Sequence, residues 1–456
     1  MKAGSDDVRV PLAVDLDGTL IRTDLLWESF LVVMRREPWT LLRAPFWWAC
    51  GRARLKQELG RRATLDPASL PAHEEFVAWL RTEKARGRKL VLATASDAEF
   101  AKPVGEYFKL FEEILGSDGR RNLRGVNKGR VLAEKYGERG FDYAGNSSVD
   151  LAVWRFARAA VVVNASETLP NRAAKVTTLG PVFPTPRPEG PALWSALDLG
   201  RIGINLLVLL PALMVPWEHC VLRWAVLLTA FLAFAFSTSA GALLRALLDV
   251  PTDRLEPALR LRPFASGDAP LSRGLSLLTG LAIGAVVLGA ITSPGLGLML
   301  TASLALEVAA GYRFRHHVAK DAIATALLAL ARVAAGAAVV GRLLPGGLVV
   351  FLGLAFAAVG AAESRARGGT SLRAVLAHGL GLASGPVLGW FAGTPEAVLH
   401  FHRPWLLLLL WPGLLLWIIR GVKSSSELRL QADSRRAWRW VLAGSGIAVW
   451  WLAAHV

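Results

Sequence analysis

The sequence predicts two folds in one chain: an N-terminal α/β domain with a helical cap, then a C-terminal all-α membrane bundle of about nine transmembrane helices. Three observations carry this. First, 53% of the 456 residues are hydrophobic, too apolar for one soluble domain and too long for one of average size. Second, the excess is uneven. Residues 1–180 read as soluble, whereas from about residue 200 apolar stretches of roughly 17–23 residues recur, the length that crosses a bilayer core. Third, a short apolar strand, Val8 to Val14, runs into Asp15-Leu16-Asp17-Gly18-Thr19-Leu20. Such a strand end sits at the carboxyl edge of a parallel sheet, where ligands bind.

An apolar strand entering D-x-D-G-T resembles the haloacid dehalogenase (HAD) phosphohydrolase family. The resemblance implies a Rossmann-like α/β domain in which Asp15 attacks phosphorus to form an aspartyl-phosphate. Asp17, two residues on, serves as general acid and base, and Gly18 lets the backbone approach the phosphate. A second strand, Lys89 to Ala93, ends in Thr94, whose hydroxyl the resemblance assigns to phosphate binding. Lys128, in Asn127-Lys128-Gly129, is assigned to neutralise the phosphoryl charge. A third strand end, Phe141 to Asn146, is followed by Asp150, where the family keeps an acidic pair for Mg²⁺. Asn146 stands in place of the first acid, so the expected metal set is Asp15, Asp17, Asn146 and Asp150 with one negative charge fewer.

The stretch between Leu20 and Thr94 reads as a helical cap. Within residues 24–50, Trp27, Phe30, Trp39, Phe46, Trp47 and Trp48 alternate with Arg35, Arg36 and Arg43. Two readings stand: a helix pair packed on itself, or an interfacial surface that rests on a membrane and admits a lipid phosphate. The Pro-rich run Pro181 to Pro191 reads as a semi-rigid linker. It divides the chain into domains 1–180 and 196–456, with 181–195 between them.

Apolar spans fall near 200–216, 224–244, 275–293, 296–312, 321–341, 346–362, 374–393, 401–419 and 438–455. The polar start, Met1 to Asp7, shows no signal-peptide pattern, which places the N-terminal domain in the cytoplasm. The connections on the same side are 245–274, 313–320, 363–373 and 420–437. They carry Arg254, Arg260, Arg262, Arg313, Arg315, Lys320, Arg365, Arg367, Lys423, Arg435 and Arg436. The opposite connections hold little beyond Arg223, Arg342 and Arg403. This positive-inside asymmetry predicts a multi-pass inner-membrane protein. It also accounts for much of the +16 net charge without a nucleic-acid partner. Cys50 and Cys220 form no metal or redox motif. His316 and His317 read as a solvated pair, and Gly280, Gly284 and Gly289 as helix-packing positions.

A polar island interrupts the apolar half: Leu248-Asp249-Val250-Pro251-Thr252-Asp253-Arg254, then Arg262-Pro263-Phe264-Ala265-Ser266-Gly267. Asp249 and Asp253, one helical turn apart, face the same way. Carboxylates are costly at the end of a membrane span, and these two could share a Mg²⁺ that carries phosphate. The following arginines could grip phosphate oxygens.

The island resembles the UbiA superfamily of membrane prenyltransferases, particularly the branch of polyprenyl-phosphate phosphoribosyltransferases and bacterial HAD–UbiA fusions. The resemblance extends to Asn205 in the first span and to Tyr312, Asp321, Arg332 and Gly336 further on. It implies Mg²⁺ on Asp249 and Asp253. It also implies a substrate site formed by Asn205, Arg254, Arg260, Arg262, Tyr312, Asp321 and Arg332.

The departures are specific. Arg245 and Ala246 replace the family's Asn-Asp, and Val359 and Gly360 stand where a Lys-Arg pair is expected. Asp198, Ile202 and Ile204 replace the basic and Trp positions before Asn205. The last connection has Ser424 to Ser426, Glu427 and Asp433. The leading expectation is a transferase that uses a polyprenyl diphosphate or polyprenyl phosphate with a small acceptor, with Mg²⁺ as cofactor, fused to a HAD phosphatase. The alternatives are a membrane-tethered phosphatase whose UbiA-like half only binds or presents lipid, and a lipid-binding or transport protein with two inactive sites.

Overall fold

The structure is a computed structural model that describes residues 8–117, 123–165, 167–185, 189–197, 199–215, 221–314, 317–364, 370–424 and 432–455. Asp198, Arg315, His316, Arg365, Arg367, Glu427 and the Pro186–Pro188 part of the expected linker lie outside these residues. The side chains of Arg223, Arg313, Lys423, Asp433, Arg435 and Arg436 do as well.

Six parallel strands form one sheet: β1 (Leu12–Val14), β2 (Leu90–Asp97), β3 (Glu113–Ser117), β4 (Asp142–Gly145), β5 (Ala159–Ala165) and β6 (Thr178–Pro184). Their spatial order is β3-β2-β1-β4-β5-β6. The register places Leu12 beside Leu90 on one side and Asp142 on the other. Strands covered on both faces read as continuous apolar runs, and every residue of β1 is buried. Alternate side chains divide between two cores. Leu12, Val14 and Leu92 join Leu16, Phe76 and Val104 on one face, while Ala13 and Ala93 join Phe141, Tyr143 and Trp154 on the other. Chain order reverses at β1, so the ends of β1, β2 and β4 border one crevice.

The cap is built from helices Leu25–Arg36, Ala44–Ala49 and Arg52–Arg62, joined by a 3₁₀ turn at Pro38–Arg43. Asp24 caps the first by accepting from Leu26 N. Its small core gathers Val33, Trp47, Leu55 and Leu59, with Leu26 and Phe30 against them. The Arg62 guanidinium lies 4.9 Å over the Trp47 ring. Trp39, Leu42, Phe46 and Trp48 point outward instead, 65–80% exposed. The reading of a self-packed helix pair therefore holds for Trp47 and not for these four: the helical phase buries Trp47 and leaves its neighbours on the surface.

β6 pairs along its length with β5, and a helix follows at Glu189–Ala196. Packing divides the chain differently from its order. One compact unit comprises Met1–Leu193 and Leu247–Gly274, the other Trp194–Ala246 and Leu275–Val456. The polar island therefore packs as part of the first unit.

The rest of the described residues are mainly helical. Among the described residues, six helices are long and apolar enough to cross a membrane: Trp224–Leu255, Leu271–Thr292, Pro294–Tyr312, Val318–Val340, Gly346–Glu363 and Ser371–Ala392. Two shorter apolar helices are Ile202–Met214 and Pro404–Arg420. The expected first span opens as a 3₁₀ helix, Leu199–Leu209, that gives way near Pro211, a residue without an N–H to extend a helix. The expected eighth begins with 3₁₀ geometry at Pro404–Leu409, and the ninth falls within the helix Ala432–His455. Helix contacts are close where glycine permits. A Cβ on Gly289 would meet Leu300 Cδ1 at 2.3 Å and one on Gly284 would meet Phe236 at 3.2 Å, whereas nothing lies within 4 Å of Gly280. Of the expected histidine pair, His317 is described and exposed.

Candidate active site

The residues expected to bind and cleave phosphate meet at the crevice of the first unit. Asp15 follows β1 and is anchored by its N–H, which donates to Ala144 O at 3.0 Å. Lys128 Nζ donates to Asp15 Oδ1 at 2.7 Å and to Tyr143 Oη at 2.8 Å. Tyr143 Oη donates in turn to Asp150 Oδ1 at 3.0 Å. Asp150 Oδ2 accepts from Asn146 N, Ser147 N and Ser147 Oγ at 3.1, 2.9 and 2.9 Å. A chain of charge-assisted hydrogen bonds thus runs from Asp15 to the turn after β4.

Asp17 is held from two sides. Leu25 N donates to its Oδ1 at 2.9 Å and Ser96 Oγ to its Oδ2 at 2.7 Å. Ser96 N donates to Thr94 Oγ1 at 3.0 Å, which brings the end of β2 to the same place. Gly18 adopts φ +77°, and a Cβ there would come within 2.1 Å of Asn146 Nδ2. Only glycine therefore fits under Asn146. A small cleft lies between the cap residues Leu25, Leu26, Ser29 and Lys56 and the β2 end and following helix, Ser96, Asp97 and Phe100. Sequence reasoning missed Tyr143, Ser96 and Lys56. Tyrosine, serine and lysine are ordinary in strands, turns and helices, and only cross-strand pairing makes these particular.

Burial pushes the Asp15 carboxyl up to about 7, with Lys128 opposing and the charges of Asp150 and Asp17 adding. Burial, then the charge of Asp24, pushes Asp17 up to about 6. The Tyr143 hydroxyl is also raised well above its ordinary value, by burial and by Asp15 and Asp150. The crevice therefore concentrates negative charge beyond what Lys128 offsets. Asp15, Asp17 and Asn146 offer oxygen, the donor Mg²⁺ takes, and a cation would relieve that excess. Asp150 is the most heavily engaged, since its oxygens accept four hydrogen bonds, against two for Asp17. Among the described residues, no group of three or more His, Cys, Asp or Glu is placed to hold a metal.

The polar island has its charges matched. Arg262 Nη1 donates to Asp253 Oδ2 and Oδ1 at 2.8 and 3.0 Å. Arg254 Nη2 and Nη1 donate to Glu28 Oε1 and Oε2 at 2.7 and 3.0 Å, and its Nε to Ala265 O at 3.2 Å. Arg260 Nε donates to Arg254 O at 2.8 Å. Arg254 and Arg262, expected to face phosphate, thus face carboxylates. A cation shared by Asp249 and Asp253 would have to displace the Arg262 guanidinium, so the residues as arranged do not fit one. Asp249 is half-buried on the same helix.

In the second unit, Arg332 Nε donates to Asn205 Oδ1 at 2.7 Å and Nη2 to Thr238 Oγ1 at 2.8 Å. Its guanidinium lies 5.3 Å over Phe234. Nδ2 of the fully buried Asn205 has no partner. Arg245, which replaces an expected asparagine, pairs with buried Glu307 on a neighbouring helix. Glu307 escaped notice in the sequence, although a lone carboxylate in an apolar span is a signal by its cost alone. A Cβ on Gly360 would meet Thr325 at 2.7 Å and Ala322 Cα at 2.9 Å, so the expected Lys-Arg pair has no room. Tyr312 and Asp321 are half-buried, at a π-helical turn and in the first turn of the next helix.

Comparison with known proteins agrees with the first unit's geometry. Residues 12–155 match the family model of the haloacid dehalogenase-like hydrolases. An uncharacterized protein, y4nM, of Sinorhizobium fredii (strain NBRC 101917 / NGR234) is 29% identical over 94% of this chain and 87% of its own. A UbiA homologue from Archaeoglobus fulgidus bound to DMAPP and Mg²⁺ is similar over 58% of this chain and 99% of its own, with 13% identity and a TM-score of 0.42. A protein of unknown function from Bordetella pertussis Tohama I is similar over 38% of this chain and 98% of its own, with 20% identity and a TM-score of 0.29.

Proposed function

We propose that the first unit is a phosphohydrolase acting on a lipid-borne phosphomonoester at a membrane surface. The carrying observation is Lys128 Nζ 2.7 Å from Asp15 Oδ1, next to an Asp17 held by Leu25 N–H and Ser96 Oγ. One Asp15 oxygen attacks phosphorus. The bond from phosphorus to the ester oxygen breaks, and Asp17 gives that oxygen its proton. With its carboxyl pushed up to about 6, Asp17 can hold the proton close to neutral pH. Water then attacks the aspartyl-phosphate, Asp17 takes the water's proton, and inorganic phosphate leaves with Asp15 restored. Thr94 Oγ1 and Lys128 Nζ bind phosphoryl oxygens. Mg²⁺, held by Asp15, Asp17 and Asn146, with Asp150 ordering the turn beneath, would offset phosphoryl charge. The exposed Trp39, Leu42, Phe46 and Trp48, with Arg36 and Arg43 exposed among them, suit a surface that rests on lipid head groups.

A second reading concerns the helical half: transfer of, or onto, a polyprenyl phosphate or diphosphate in a UbiA-type bundle of nine spans, with the hydrolase domain cytoplasmic. What favours it is the buried Arg332–Asn205–Thr238 cluster, in which Asn205 Nδ2 is unmatched. Tyr312 and Asp321, in the same unit as that cluster, are the further substrate-binding candidates there, and Asp249, Asp253, Arg260 and Arg262 of the polar island are the candidates for diphosphate, with Asp253 freed from Arg262.

The test uses purified full-length protein in detergent with Mg²⁺. Phosphate release is measured from p-nitrophenyl phosphate and from a polyprenyl monophosphate. Release that disappears in Asp15→Asn supports the hydrolase, and release that survives it overturns the reading. A new lipid product from polyprenyl phosphate and phosphoribosyl diphosphate, lost in Asp249→Ala, supports transfer.

A further inference from the structure

We infer that the segment 247–274 is a working part of the hydrolase site, and that Glu28 and Arg254 are positioning residues for Asp17; this rests on the hydrolase reading above.

The loop from Asp17 to the first cap helix determines where the Asp17 carboxyl sits, because Leu25 N–H is one of its two side-chain anchors. That loop is clamped near its middle and just past its end. Arg22 Nη2 donates to Asp268 Oδ1 at 2.5 Å, and Ser266 Oγ donates to the other Asp268 oxygen at 2.8 Å. Three residues beyond Leu25, Glu28 accepts both Arg254 Nη groups and Thr23 Oγ1, the latter at 2.6 Å.

The contacts are built rather than incidental. The side chains of Glu28 and Arg254 are 5% and 6% exposed, and those of Asp268 and Arg22 are 5% and 12%. Gly267, with φ +78°, lies so close that a Cβ would stand 2.7 Å from Arg22 O. A planar guanidinium gripping a carboxylate through two parallel bonds fixes orientation as well as distance. The same pair occupies Arg254, so the first arginine of the island serves the phosphohydrolase rather than a diphosphate. A carboxylate that must give and take a proton loses rate steeply when misplaced by an ångström.

Full-length Arg254→Gln, Arg254→Lys, Glu28→Gln and the reversed pair Glu28→Arg/Arg254→Glu would be compared on p-nitrophenyl phosphate, a substrate with no lipid chain. Hydrogen exchange of residues 18–27 would be followed in parallel. Either Gln variant is expected to lower kcat about ten-fold or more with KM little changed and to speed exchange in the loop. Arg254→Lys should fall between, and the reversed pair should recover part of both losses.

Wild-type kcat and exchange in the single variants would overturn the inference. So would a folded reversed pair no better than the singles. Where a Gln variant fails to fold, the Lys variant and the reversed pair decide by the same criteria. If the native chain releases no phosphate, the hydrolase reading fails, while the exchange data still report whether the clamp exists.

Discussion

The ion pairs of the second unit and the crevice of the first treat charge in opposite ways. In the second unit half-buried Arg245 is matched by buried Glu307, and buried Arg332 by Asn205, Thr238 and the face of Phe234. In the crevice of the first unit, Asp15 pairs with Lys128 while the charges of Asp150 and Asp17 act on it, and burial holds Asp15 up to about 7. Matched charge makes a framework, because each ion's lost hydration is offset by a fixed partner. Unmatched charge makes a site, because the missing partner is what arrives with the substrate or the metal.

Four perturbations break or sharpen this contrast. The largest effect is expected in the framework. Glu307→Gln leaves Arg245 without its buried partner and should cost about 3–5 kcal/mol, seen as a lower thermal unfolding midpoint in detergent, with phosphate release per folded molecule unchanged. A fall in turnover at unchanged stability would erase the distinction. Lys128→Met should lower kcat for phosphate release about a hundred-fold, since it removes the cation facing both Asp15 and the phosphoryl group.

The third perturbation is pH. Folded-state values of about 7 for Asp15 and about 6 for Asp17 lie above the ordinary 3.8. Protonation therefore favours the fold. The contribution of these two groups to metal-free stability should be greatest below about pH 4 and be lost as pH rises through about 7. Thermal unfolding of Asp15→Asn across that range should show a shallower fall, and an unaltered slope would argue against a charged, buried Asp15. The smallest effect is expected from Asn146→Asp, which restores an acid and should lower the Mg²⁺ concentration for half-maximal release about ten-fold. A higher requirement would mean that Asn146 acts only as packing over Gly18.

Much of the first unit was legible in the chain itself. Short apolar strands running into Asp15, Thr94 and Asn146, with Lys128 and Asp150 in order, announce a crevice at the carboxyl edge of a parallel sheet, although β2 continues past Thr94 to Asp97. Tyr143 was not legible, because it lies in an ordinary β4 sequence and acts only by standing between Lys128 and Asp150. The cap's aromatics were visible as a group, but not which would turn inward. Helical phase and the Arg62 guanidinium bury Trp47 while Trp48, the next residue, is exposed.

The sequence by itself determined the division into an α/β part and an apolar helical part, since strand length, apolar runs and charge placement are local properties. It also determined which acids stand at strand ends. What those acids and bases do to one another was decided only by tertiary structure. Arg254 beside Asp253 reads locally as part of an anion site. Its bidentate partner is Glu28, 226 residues earlier, and no local pattern encodes a pairing that exists only once both segments pack. The same holds for Gly360, where the close approach of Thr325 and Ala322, rather than any preference of the helix, leaves no space for a side chain.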